Sequence, residues 1–138
     1  MRTNTAATLY NVYYNIATKA NLYKRTVLPA VEWENRKASN VLRTGGNIAA
    51  DIASIFIPIT PSVDYLAPKA WLALVDKSGN FTLQEGDILV KGEVADELSA
   101  AFLPTALKAK YDDVLTISSV DTFDFGSASL HHWKVGVK

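Results

Sequence analysis

Between Val114 and Val137 the chain reads VLTISSVDTFDFGSASLHHWKVGV, two β-type runs around a turn-rich middle. Leu115 and Ile117 alternate with Thr116 and Ser118. Beyond the middle, His131, Trp133, Val135 and Val137 fall on one side, and His132 and Lys134 on the other. Successive side chains on a strand point to opposite faces, so a period of two marks a strand half buried against a core. Asp121, Asp124, Gly126 and Ser127 are turn formers between the two runs. The rest of the chain is organised around this pair.

Upstream, Thr8–Tyr14 is aromatic and β-prone. Leu22–Trp33 alternates, with Tyr23, Arg25, Val27, Pro29, Val31 and Trp33 on one face. Pro29 has no N–H to give a ladder, so this strand is an edge or is bulged there. Glu34–Ala50 is polar, holds Gly45-Gly46, and reads as a long loop. Asp51–Ile59 is apolar on both faces, as a central strand or barrel wall is.

Pro68–Leu74 reads as a short helical turn, and Asp76–Asn80 as a turn with Gly79 at positive φ. Phe81–Gln84 and Asp87–Gly92 flank Glu85-Gly86 as a hairpin would. Pro104–Tyr111 is the clearest helix, with Leu107 and Tyr111 one turn apart. The expectation is a mainly β fold over residues 1–138, one domain. It is a small antiparallel β-barrel or sandwich with one short helix and a long early inter-strand loop. Trp33, Phe56, Ile57, Leu115, Ile117, Trp133 and Val135 are the expected core anchors.

Composition narrows the chemistry. With no cysteine there is no disulfide or thiolate site. The N-terminus shows no signal-peptide pattern, and no apolar stretch is long enough to span a membrane. Net charge is zero, but residues 1–50 hold seven basic and two acidic residues, while the remainder holds seven basic and twelve acidic. This asymmetry is ordinary solvation or a basic surface on one copy meeting an acidic surface on the next.

No catalytic set is visible. His131 and His132 are adjacent on a strand and point apart, so they do not chelate one metal. Asp112-Asp113 and Asp121 with Asp124 lie in turns, where Asp bonds its own backbone. Thr44–Asn47 lacks the Gly-Lys-Ser/Thr ending of a phosphate loop. Fourteen aromatics suit base stacking, but no basic stripe accompanies them. Catalytic, cofactor and metal sites are therefore expected to be absent.

A set of segments in fixed order carries a resemblance. They are Leu22–Val27 with Val31 and Trp33, then Phe81–Gly92, Lys110–Ile117, Ser119–Asp121, Phe125–Ser127 and His132–Val135. Together they resemble the head-closure, or stopper, class of head–tail connector proteins of long-tailed bacteriophages, over roughly residues 8–138. The resemblance implies a virion structural protein, not an enzyme. It implies a β-barrel with a peripheral helix, assembled in the host bacterial cytoplasm into a hexameric or dodecameric ring in the phage neck. Such a ring closes the DNA exit channel after packaging and offers the tail a docking surface. Its partners are the connector adaptor and a tail-terminator or other tail protein, with non-specific contact to packaged DNA.

In that class a long loop between two early strands projects into the channel. The corresponding gating residues here are Glu34, Arg36, Lys37, Val41, Leu42, Arg43, Gly45, Gly46 and Ile48. One departure is Leu103 ahead of the helix, where a capping Ser, Thr or Asp is expected. A tail-terminator or adaptor of the same connector, and a small β-barrel nucleic-acid-binding protein, remain alternatives.

Overall fold

The computed structural model describes residues 3–35, 52–59, 64–99 and 101–138. Six strands form a closed antiparallel barrel in the order β1-β2-β3-β6-β5-β4. They are β1 (Thr5–Asn15), β2 (Ala20–Asn35), β3 (Ala53–Pro58), β4 (Ile88–Lys91), β5 (Val114–Phe123) and β6 (His132–Val137). Helix α1 (Pro68–Leu72) follows β3, and α2 (Pro104–Lys110) precedes β5.

Pairing shows where the barrel turns its corners. β2 lies against β1 from Ala20 to Val31 and against β3 from Glu32 to Asn35. Ala7 faces Leu28 while Thr5 faces Val31, so β2 carries one extra residue at Pro29–Ala30. That is the bulge the proline demands. β5 carries its extra residue at Ser118: β4 pairs with it only before the bulge, over Val114–Thr116, while β6 pairs with it on both sides.

Each bulge changes which residues face inward. On β2 the buried set is Leu28, Val31 and Trp33 rather than the strict alternation through Val27. The face expected to hold Tyr23, Arg25, Val27, Val31 and Trp33 together is thus split: the first part lies outside the barrel and the last part inside.

The interior is filled by Leu9, Val31, Trp33, Ile55, Ile57, Leu89, Ile117, Trp133, Val135 and Val137. Leu115 is half buried and packs against the same cluster. Phe56 corrects the expected list. It points to the outer face of β3, beside the ring of His132 at 5.7 Å. A run apolar on both faces gives no internal sign of which face is in, and here Ala53, Ile55 and Ile57 took the interior.

A second cluster lies outside the wall, where Tyr10, Ile88, Val90 and Val114 meet Leu107 of α2 with Val94 and Leu98. This layer explains why β1 and β4 are apolar on both faces. Helix α2 starts on Pro104 without a side-chain cap at Leu103, in keeping with the sequence.

Three further expectations are corrected. Phe81–Gln84 pairs with no strand beyond one isolated bridge from Phe81 to Tyr65, so Glu85-Gly86 closes no hairpin, although Gly86 does take φ +94°. Gly79 is not among the positive-φ residues; that turn rests on Asp76, whose Oδ1 accepts from the Ser78 N–H at 2.9 Å. Asp121 sits within β5 opposite Lys134, not in the turn.

Trp133 is 4% exposed, and its ring lies 4.5 Å from that of Tyr65. Trp133→Ala is expected to cost about 3–5 kcal/mol, the usual loss for a buried large aromatic. Chemical denaturation measures it, and a loss under about 1 kcal/mol would place Trp133 at the periphery.

Candidate functional site

β1 and β2 are longer than the wall they build. β4 covers β1 only over Ala7–Tyr10, and β3 covers β2 only over Glu32–Asn35. Beyond those limits, among the described residues, one side of each strand has no neighbouring strand, and its backbone groups must find partners elsewhere.

On β1 side chains supply them. The Val12 N–H donates to Asp87 Oδ1 at 3.0 Å, and its carbonyl accepts from Gln84 Nε2 at 2.9 Å. Asn11 donates through Nδ2 to Asp87 Oδ2 at 2.6 Å and to the Thr82 carbonyl at 2.7 Å. The Thr82 N–H returns to Asn11 Oδ1 at 3.2 Å. Asn11, Thr82 and Asp87 are fully buried. Burial pushes the Asp87 carboxyl up to about 6, against the donors from Val12, Asn11 and Gln84 that favour its ionised form.

On β2 the edge is left open among the described residues. Hydrogen-bonding direction alternates along a strand. Val12 faces away from β2, so its partner Tyr23 also points its N–H and C=O outward. The unbroken register carries the same direction to Arg25 and Val27. Lys24 meets this edge, donating through Nζ to the Arg25 carbonyl at 2.9 Å and to Thr26 Oγ1 at 3.3 Å. Burial holds the Lys24 ammonium below its ordinary pKa, with Glu97 opposing that shift.

Where β2 and β3 diverge, a groove of about 480 Å³ opens along this stretch. Its walls are Val27–Ala30, Ile57, Pro58 and Gly79–Phe81, with Lys24 and Asp64 as its charged residues. Unpaired strand backbone beside apolar walls is suited to taking an added strand.

Of the expected gating residues, Glu34 belongs to β2, opposite Ser54, and is exposed. Arg36, Lys37, Val41, Leu42, Arg43, Gly45, Gly46 and Ile48 lie outside the described residues. The histidines have local partners: the His132 ring stacks on Phe123 at 4.9 Å, and His131 Nε2 lies 3.3 Å from the Gly126 carbonyl. Among the described residues, no three His, Cys, Asp or Glu are placed to hold a metal, and no helix is long and apolar enough to cross a membrane. The signal in the sequence for the open edge was Pro29; nothing local marked Asn11 and Asp87 as partners.

A family model described as "Family of unknown function (DUF6751)" matches residues 2–138. No curated protein and no solved structure matches the chain.

The Asp87 carboxyl sits above its unfolded value of about 4, so the fold holds this proton more tightly than the unfolded chain does. Its stabilising effect is greatest below the unfolded value and is lost as pH rises through about 6. Asp87→Asn, which cannot ionise, is expected to flatten the gain in stability seen as pH falls from about 7 to about 5. It should also cost about 1–3 kcal/mol, because one amide N–H₂ then faces the Asn11 donor. Denaturation midpoints across that range test both; an unchanged pH profile would remove Asp87 as its source.

Proposed function

The chain belongs to the DUF6751 family of unknown function, and from that premise we propose that it is a non-enzymatic virion structural protein of a bacteriophage neck. In this reading it is a ring-forming stopper that holds packaged DNA and receives the tail. The observation that carries the reading is the architecture: a closed antiparallel barrel with a helix on its outer wall and a long connection between β2 and β3. Each of those features is what the resemblance to head-closure proteins implies. The open edge of β2, beside an apolar groove, adds a surface suited to protein–protein contact.

The work of such a protein is mechanical. A ring needs each copy to present two unlike surfaces, and a rotation that closes. A barrel suits that task because the ladders that close it fix its shape, so contacts at one side are carried to the other. The ring sits in the virion between the adaptor and the tail.

The test is a phage that encodes this chain but carries a stop codon early in its reading frame. It is expected to build heads that package DNA, fail to retain it, and stay without tails, while finished tails accumulate separately. Electron microscopy and DNase protection read both. Full heads joined to tails in the absence of the protein would overturn the proposal, and full, stable heads lacking only tails would point to the tail-terminator instead.

A further inference from the structure

The barrel has a second open edge, and it lies across the molecule from the first. Past Ser118, β5 is paired with β6 alone. Thr116 and Lys138 exchange both backbone bonds, at 2.8 and 2.9 Å, so Lys138 faces β5. Alternation then turns Lys134 and His132 towards β5, while Val137 and His131 bond to Ile52 and Ile59 on the β3 side. Asp121 and Phe123, opposite Lys134 and His132, therefore face β6. Val120 and Thr122 must point their N–H and C=O groups away from the barrel. Among the described residues, no other element bonds to them.

In the strand order β1-β2-β3-β6-β5-β4, three steps round a closed ring of six separate β2 from β5. The open edges are thus on opposite sides. Every neighbouring pair is antiparallel, so β2 and β5 run in opposite directions. Copies related by rotation about an axis along the strands would bring the β2 edge of one copy to the β5 edge of the next in antiparallel sense, the more favourable pairing.

We propose that copies of this chain join head to tail by edge pairing, with β2 of one copy adding to β5 of the next. Tyr23, Arg25 and Val27 offer outward backbone groups on one side, and Val120 and Thr122 on the other. Charge complements the match. The β2 edge carries Lys24, and the β5 edge carries Asp121 with Asp124 just beyond its end. In a lone copy the Lys24 ammonium caps the Arg25 carbonyl; on pairing it moves to a carboxylate of the incoming strand and frees that carbonyl for the ladder. The groove beside Val27 leaves room for side chains of the added strand.

The inference rests on the ring reading only for closure of the array. Open filaments built by these edges would leave the pairing intact and defeat the ring. A phage that retains DNA without the protein would defeat the neck role and leave the pairing untouched.

The experiment uses sedimentation velocity on the full chain up to about 1 mM, with Val27→Pro and Thr122→Pro. Both residues point their N–H away from the barrel, where proline is tolerated, and retained circular dichroism and unfolding midpoints verify the folds. Wild type is expected to self-associate reversibly, and each variant to weaken that association by about tenfold or more. Mixed in equal amounts, the two variants should form a heterodimer and nothing larger, because one keeps β5 intact and the other β2. A wild type that stays monomeric throughout, a single variant that still dimerises with itself, or a mixture without heterodimer would each overturn the proposal. Should Val27→Pro not fold, Thr122→Pro at its exposed site reads the same interface from the other side, and undiminished association of that variant overturns it.

Discussion

The buried carboxylate of Asp87 is the point at which the barrel wall and its plug are joined. β4 has only four residues, so the ladder on β1 stops at Tyr10 while β1 itself continues. Asp87 and Gln84 take the place of the missing strand by satisfying Val12. Asn11, on the same cluster, ties down Thr82. That anchors a segment with no ladder of its own and sets Phe81 and Leu83 into the barrel interior. An unsatisfied buried polar group costs about 1–3 kcal/mol, so losing this cluster would strand several at once. A carboxylate serves better than an amide because its oxygens only accept, and every neighbour here donates.

The second constraint is the pair of bulges. A six-stranded barrel of this size cannot close with straight strands, and here the bending falls on β2 and β5. Each gains or loses a neighbour close to its extra residue: β3 joins β2 from Glu32, just past Pro29–Ala30, and β4 leaves β5 after Thr116, just before Ser118. A strand that leaves one neighbour for another exposes an edge on the side it has left or not yet reached. The two open edges are therefore a consequence of closure, and their opposition follows from bending at opposite corners.

Legibility in the sequence followed the range of the interactions. The alternation of Trp133, Val135 and Val137 is local and gave the buried face of β6 directly. Pro29 gave the bulge, because a missing donor is a property of one residue. What the bulge does to parity is also local in principle, yet placing Leu28 inside and Val27 outside needs the register against Ala7. Phe56 was misplaced because an apolar run carries no contrast between faces. Phe81–Gln84 looked like a hairpin strand because Phe81 and Leu83 alternate with Thr82 and Gln84 ahead of Glu85-Gly86, while its partner is the Asn11 side chain, 71 residues from Thr82. Of the candidate site, only the proline pointed the way; the groove depends on β2 and β3 diverging, which no single stretch encodes.

Charge shows the same division between local and distant. The basic first third of the chain and the acidic remainder look like two surfaces in the sequence. Folding brings part of them together within one copy: Arg25 bonds the Val94 carbonyl, and Asp96 and Glu97 lie close enough to act with it on Tyr10. That part is spent inside the chain and is not available to a neighbour. Lys24 feels Glu97 too, but its hydrogen bonds go to backbone and hydroxyl oxygens rather than to a carboxylate. Lysine on an edge strand is a common defence against unwanted pairing, because a buried ammonium must find a new partner before another strand can lie down. A strand that offers acid at the right place removes that obstacle, and one that does not is refused. In the proposed edge pairing, the same residue would protect the lone copy and select the strand that joins it.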